Sequence, residues 1–286
     1  MKNINTHKQA LCIVNTRKHA KGLFDMLQSD DGFHLSTLMC PTHRKEITKA
    51  IKERLKNSMP CKVISTQIME AGIDVDFPVG YRSLSGLDSI IQAAGRVNRE
   101  GKHQYGILNV FEAESVFVKK IPTYIQQGAS LARKILKDFP DDPISIEAIN
   151  AYYKDLYQLH NEKAFDRNEI INCFEHGIPE FDFKTAAERF NLIDNDTVSV
   201  IIPFDERAND LIRQLQYSEF PKSIIRKLQT FTVNIYEQEF NSLQSLGLID
   251  TYLDSYSVLN NMNYYDKKTG LIIPKAIHGD GIFLNM

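Results

Sequence analysis

Apolar residues fall in short runs along the first 110 positions, with helical spacing between the runs. Ala10 to Asn15 (A-L-C-I-V-N) is apolar until its polar end, which predicts a buried strand. Thr16 to Gln28 follows as a helix, with Ala20, Leu23, Phe24 and Leu27 along one face. His34 to Met39 reads as a second strand. The helix expected from Thr42 to about Lys56 carries Ile47, Ile51 and Leu55 as an apolar stripe, with Arg44, Lys45, Lys49, Lys52 and Lys56 elsewhere. Lys62 to Ser65 begins a third strand, and Val79 to Arg82 forms a fourth. Gly86 to Ala94 is predicted helical, opened by Ser85 and Asp88 at capping-box spacing. Tyr105 to Phe111 closes the series as a strand. Such alternation predicts a mostly parallel sheet covered on both faces, with ligands at the carboxyl ends of its strands.

Past Glu112 the pattern changes. Residues 116 to 139 and 144 to 161 have helical spacing, and Pro140 and Pro143 separate them. A helix is expected at Lys184 to Phe190, and a β-branched run, T-V-S-V-I-I-P, occupies 197 to 203. Helices at 206 to 216 and 221 to 228 precede a strand at Thr230 to Ile235 with alternating faces. Short strands are expected near 256 to 259 and 271 to 273. No fixed-period repeat or low-complexity tract is present. The fold class is α/β: an α/β domain followed by a smaller, mainly helical α+β module.

Composition narrows the class. The chain has 286 residues, 43% hydrophobic and 24% charged, which is ordinary for globular domains with real cores. No apolar run approaches the roughly 18 residues of a spanning helix. The N-terminus M-K-N-I-N-T-H-K lacks the apolar centre of a signal peptide, so a cytoplasmic protein without membrane partners is expected. Cys12, Cys40, Cys61 and Cys173 contain no C-x-x-C pair, which favours reduced, buried thiols over a disulfide frame or zinc site. Charge is uneven. Through Val110 there are 16 Lys and Arg against 10 Asp and Glu; beyond it there are 18 against 26, together the net −2. Either only the basic part touches a polyanion, or two solvated surfaces have simply drifted apart.

Three loops carry candidate chemistry. Asn15-Thr16-Arg17 ends the first strand and opens a helix, where free N–H groups and the Thr16 hydroxyl suit a phosphate or make a plain N-cap. Ser65-Thr66-Gln67 leads to Glu70-Ala71-Gly72-Ile73-Asp74. There Gly72 permits close backbone approach and Asp74 is placed to accept from a ribose hydroxyl. The third is Gln92-x-x-Gly95-Arg96-x-x-Arg99. Two guanidinium groups so close require an anion between them, either a phosphate or a protein carboxylate such as Glu100 or Asp88.

The order and spacing of V-N-T-R, S-T-Q-x-x-E-A-G-x-D-x-D-F and D-S-x-x-Q-x-x-G-R-x-N-R resemble motifs IV, V and VI of superfamily 2 helicases. In detail they are most similar to the CRISPR-associated helicase-nuclease of type I interference systems. The likeness continues through A-E-R-F-N-L-I-D (Ala187 to Asp194), V-S-V-I-I-P (Val198 to Pro203), L-Q-T-F-T-V-N-I (Leu228 to Ile235) and Y-Y-D-K-K-T-G-L (Tyr264 to Leu271). The resemblance implies a second RecA-like helicase domain at 1–112, a helical linker at 113–180 and a C-terminal accessory module at 181–286. It implies that Asn15, Thr16, Ser65 and Thr66 contact single-stranded DNA, and that Gly72, Asp74 and Gln92 face the nucleotide. Arg99 is the implied arginine finger and Arg96 a second phosphate ligand. Ala93 departs from the pattern, since many helicases carry Arg directly after the motif VI glutamine.

The chain contains no G-x-x-x-x-G-K-[ST] loop, and none of its eight histidines is followed by aspartate. The expectation is therefore half of an ATP-dependent helicase, inactive alone. ATP and magnesium would be shared with an absent N-terminal RecA-like domain, and a nuclease domain and an RNA-guided surveillance complex would be further partners. T-V-S-V-I-I-P-F-D-E, ending at Asp205-Glu206, imitates a magnesium-binding strand end. It follows motifs V and VI rather than preceding them, so it is read as structural. The alternatives are another superfamily 2 translocase, or a catalytically silent RecA-like binding module.

Overall fold

The computed structural model describes residues 2–27, 29–114, 121–159, 166, 168–175, 181–190 and 197–274. Two compact units divide the chain: Met1–Ser83 with Gln92–Ile121 and Thr197–Met286, and Leu84–Ile91 with Pro122–Asp196.

The first unit opens with a short helix α1 (Lys2–Asn5) and then alternates strands and helices: β1 (Gln9–Ile13), α2 (Arg17–Leu27), β2 (Gly32–Leu35), α3 (Pro41–Lys56), β3 (Cys61–Ser65), β4 (Val79–Ser83), α4 (Leu87–Ala94) and β5 (Ile107–Phe111). The five strands are all parallel, in the order β2-β3-β1-β4-β5. Burial on both faces explains the unbroken apolar run of β1. Leu11 and Ile13 join Val63, Ile51 and Phe77 on one side, while Ala10, Cys12 and Val14 join Ala20, Leu27 and Val79 on the other. The stripe of α3 behaves as its spacing predicts, with Ile51 fully buried and Ile47 and Leu55 against the same core. Because the strands are parallel, the loops after β1, β3 and β4 lie along one edge.

The second strand stops at Leu35 rather than continuing to Met39. The Ser36 hydroxyl accepts from Leu38 N–H (3.3 Å) and the Ser36 carbonyl from Met39 N–H (3.2 Å), turning the chain away from the sheet. Met39 is buried in the core of the parallel sheet, and Cys40 is buried because the last part of the chain packs onto this turn.

That part, still within the first unit, is built on a second sheet. It contains β6 (Thr197–Ile201), α8 (Glu206–Gln216), α9 (Lys222–Leu228), β7 (Thr232–Tyr236), α10 (Glu237–Ser245), β8 (Ile249–Tyr252), β9 (Tyr256–Leu259), and the hairpin β10 (Tyr265–Asp266) and β11 (Gly270–Leu271). Its four-stranded sheet has the order β7-β6-β9-β8, mixed in direction. Alternation along β6 sends Val200 to a core with Val233, Leu243 and Cys40, and Ile201 to a core with Ala208, Leu215 and Leu228. Helix α10 and strand β8 are absent from the sequence pattern, which shows too few apolar positions there. Asp205 accepts from Ala208 N–H (2.9 Å) as the N-cap of α8, a structural use of the strand-end carboxylate.

The hairpin is locked to the turn after β2. Leu271 N–H donates to the Leu38 carbonyl (2.8 Å). Gly270 has φ +84, and a Cβ there would sit 2.3 Å from the Leu38 carbonyl oxygen. The Tyr265 hydroxyl accepts from Cys40 N–H (3.1 Å) and meets His43 Nδ1 (3.0 Å). His43 Nε2 lies 2.9 Å from the Lys267 carbonyl, which can only accept, so Nε2 carries the proton and Nδ1 accepts from Tyr265. Burial pulls His43 below the ordinary histidine range and favours this neutral form.

In the second unit, α5 (Thr123–Asp138) and α6 (Ile146–Gln158) bury Ile125, Ala132, Ile135, Ala148 and Tyr152. Gly128 and Gly86 pack backbone to backbone, because a Cβ on Gly128 would lie 3.1 Å from Gly86 Cα. Asp88, read from sequence as a capping-box member, meets the Tyr152 hydroxyl (3.4 Å). A short helix α7 (Phe183–Arg189) follows, its Phe183 ring set edge-on to Phe174 and Phe181. Residues 116–120 and 160–161 of the expected helices, and Asn191 to Asp194 of the A-E-R-F-N-L-I-D string, lie outside the described residues. Among the described residues no helix is long and apolar enough to cross a membrane.

Candidate phosphate-facing site

The two arginines reach their places through a backbone splice. Beyond α4 the chain pairs with the end of the Gly72 loop: Phe77 N–H donates to the Arg96 carbonyl (3.0 Å), and Asn98 N–H donates to the Phe77 carbonyl (2.8 Å). This parallel bridge between Phe77 and Val97 sets residues 74–77 beside 96–99. Asn98 takes a left-handed conformation (φ 48), and its amide clasps His103 through two hydrogen bonds of 2.7 and 2.9 Å. Gly106 makes room, since a Cβ there would fall 2.9 Å from Asn98 Cβ.

Arg99 lies on the exposed side of this splice. Its backbone N–H donates to Asp76 Oδ1 (2.7 Å), and its guanidinium pairs with Asp74. The side chains are 46% and 77% exposed, so the pair sits in water and exchanges readily. The carboxylate beside Arg99 is thus Asp74, the residue assigned from sequence to the ribose, and not Glu100 or Asp88. Gly72 stands nearby in sequence at φ +75 with open space where a Cβ would be, and Gln92 is exposed on α4.

Arg96 is half-buried and turned inward. Its Nη2 donates to the Glu70 carbonyl (2.7 Å) and its Nε to the Met69 carbonyl (3.3 Å), fixing the loop that leads to Gly72. The Glu70 side chain continues inward to Arg82 on β4, Oε1 to Nε 2.7 Å, with the two side chains 5% and 0% exposed. Arg82 Nη1 donates in turn to Asn15 Oδ1 (2.6 Å) and to the Ser83 carbonyl (2.7 Å). A continuous polar chain therefore joins all three candidate loops.

The residues assigned to DNA are less open than their sequence positions suggest. Asn15 is buried against Arg82, and Ser65 is fully buried, donating to the Leu35 and Thr66 carbonyls. Thr66 is buried, its N–H donating to the Leu35 carbonyl (3.0 Å). Thr16 Oγ1 accepts from His19 N–H (3.1 Å) at the start of α2. Arg17, the last residue of V-N-T-R, forks onto both carboxylate oxygens of Glu239 at 2.9 Å and lies 4.8 Å over the Tyr236 ring. The sequence places Glu70 in the second candidate loop without giving it a role, and offers no signal for Glu239. The only hint for Arg82 is a lone charge inside an otherwise apolar strand.

Comparison with known proteins follows the same lines. Residues 6–102 match the family model described as CRISPR-associated nuclease/helicase Cas3, C-terminal. A CRISPR-associated nuclease/helicase Cas3 from Methanothermobacter thermautotrophicus is 24% identical over 188 residues, covering 65% of this chain and 23% of the relative. The one from Haloferax volcanii is 49% identical over 139 residues, covering 40% of this chain and 14% of the relative. The chain thus spans a quarter or less of these proteins. Among solved structures, T. fusca Cas3 with AMPPNP superposes with a TM-score of 0.58 at 17% identity, over 92% of this chain and 38% of that one. A chain of a CRISPR RNA-guided surveillance complex, pre-nicking, gives 0.56 at 18%, over 93% and 41%. At these identities the structural likeness carries the fold alone, an α/β arrangement.

Proposed function

We propose that this chain, which over residues 6–102 is similar to the C-terminal part of the Cas3 helicase-nucleases, is half of an ATP-driven DNA translocase. Residues 1–112 act as the second RecA-like domain, 113–180 as the linker and 181–286 as the accessory module. The observation that carries this reading is the splice that sets Arg99 at an exposed rim beside the Gly72 loop. An accessible guanidinium, an unobstructed glycine at positive φ and an exposed Gln92 suit one wall of a nucleotide cleft.

ATP, held mainly by the other RecA-like domain, would supply the cleavable phosphoanhydride, and magnesium would neutralise its phosphate charge. That a Cas3 structure contains AMPPNP supports nucleotide use. Among the described residues no cluster of three His, Cys, Asp or Glu is placed to hold a metal. In this chain Arg99 would exchange Asp74 for the terminal phosphate, and its guanidinium would supply a fixed positive charge where negative charge builds in the transition state. Arg96 serves the same wall by holding the Met69 and Glu70 carbonyls, which fixes the loop that leads to Gly72. Movement of that loop passes through Glu70 and Arg82 to Asn15, coupling the nucleotide edge to the loops proposed for DNA. The solved surveillance-complex relative supports recruitment by an RNA-guided assembly.

A solution test uses the chain with and without a separately expressed domain bearing the phosphate-binding loop. Hydrolysis should be absent with either alone and appear, stimulated by single-stranded DNA, on mixing. DNA-stimulated hydrolysis by this chain alone would refute the half-site reading.

A further inference from the structure

The residues that sequence order assigns to DNA are mostly buried, while the basic flank of helix α3 carries no assignment. Helix α3 presents Arg44, Lys45, Lys49 and Lys52 to a groove of about 550 Å3. Its other wall is the loop that carries the nucleotide-facing glycine, through Ile68, Ala71, Gly72 and Ile73. Glu53 is the only carboxylate lining it. Among the described residues none of the four cations makes an ion pair, although Arg54 on the same helix is paired with Asp31. Lys45 and Lys49 are four residues apart, and Lys49 and Lys52 three apart. Like charges at those spacings weaken a helix unless an anion joins them. Arg44 is half-buried, and burial pulls it below the ordinary guanidinium value.

We propose that this groove binds the phosphodiester backbone of single-stranded DNA through Arg44, Lys45, Lys49 and Lys52. The proposal rests on the translocase reading above and supplies that reading with a second, open grip. The spread of the cations selects a strand over a free nucleotide. From Arg44 to Lys52 the helix rises about 12 Å, several times the ~3.4 Å of axis that each phosphate occupies along one strand of a duplex. A compact triphosphate is gripped instead by converging backbone N–H groups, which a helix flank does not offer. The apolar loop wall has no aromatic ring for base stacking, so the groove should bind without sequence preference.

The test is fluorescence anisotropy of a labelled 20-nucleotide oligo-dT titrated with the full chain at several KCl concentrations. Two triple variants remove equal charge: K45A/K49A/K52A in the groove and K222A/R226A/K227A on α9, which is exposed elsewhere. Thermal melts confirm that both are folded. The groove variant should lose about tenfold or more in affinity at low salt. Its log–log salt dependence should become shallower by about 2, from three contacts at ~0.7 each. The α9 variant should bind like the unaltered chain. Unchanged binding by the groove variant, or equal loss in both, overturns this inference and leaves the translocase reading standing. Displacement of the oligonucleotide by ATP that depends on the three lysines also overturns it, because the groove would then hold free nucleotide. Failure of the unaltered chain to bind oligo-dT overturns it together with the DNA role proposed for the isolated chain.

Discussion

Arg82 Nε lies 2.7 Å from Glu70 Oε1 in the interior of the first unit, one side chain fully buried and the other nearly so. Neither residue touches solvent enough to bind a ligand, yet the pair stands between the Arg96-held loop and Asn15. Desolvated ion pairs add little net stability when intact, but removing one partner leaves an uncompensated buried charge.

Glu70→Ala should therefore cost about 3–5 kcal/mol in urea unfolding, the range for breaking a buried pair. Asp74→Ala, which breaks the solvent-exposed pair with Arg99, should cost no more than ~1 kcal/mol. Equal losses in the two variants would contradict the distinction between a structural relay and an exchangeable rim contact.

The hairpin lock gives a second expectation. Gly270→Ala places a methyl group against the Leu38 carbonyl at a backbone angle L-residues avoid. It should loosen the chain after Asn263 and cost roughly 1–3 kcal/mol, as overpacking and strain do. Tyr265→Phe keeps the ring but strips Cys40 N–H and His43 of their partner, and should cost about 1–3 kcal/mol. Amide exchange at Leu271 reads both, and protection equal to that of the unaltered chain would refute the lock.

How far these features could be read in advance differs by region. The parallel sheet was legible because strands buried on both faces, such as Ala10 to Val14, leave unbroken apolar runs. The edge strand Ile249–Tyr252 and the helix Glu237–Ser245 were not, since the strand only half-buries Ile249 and Tyr252 and the helix fully buries Leu243 alone. Leu38 and Met39 continue the apolar run of the second strand, but Met39 serves the core of the parallel sheet while Leu38 packs against the last part of the chain. Arg96 and Arg99 were visible through their spacing. Their partners were not, because Arg96 binds carbonyls, which every residue has, and Asp74 had been given another task. The Glu70, Arg82 and Asn15 contacts depend on the strand order β3-β1-β4, and composition carries no trace of that order.

Stability should fall on mild acidification. His19 and His34 are both pulled down to about 4 by burial, and in the unfolded chain they titrate near 6.5. Between those values the unfolded state binds more protons, so stability is fully present above about pH 6.5 and is lost as pH falls toward 4. Thermal melts at pH 7 and pH 5 should show the decline. His34→Leu should lower the overall melting temperature while making the pH dependence shallower. An unchanged slope in that variant would remove His34 from the account.

The claim on which everything else depends is that Arg99 completes an active site whose other wall lies on a separate domain. It is tested most directly by DNA-stimulated ATP hydrolysis in the reassembled protein, comparing Arg99→Ala with the unaltered chain at saturating nucleotide. The account predicts a loss of about 10³–10⁵ in turnover, the range for removing an arginine finger, with oligonucleotide binding retained. Turnover within a few-fold of the unaltered protein would contradict it.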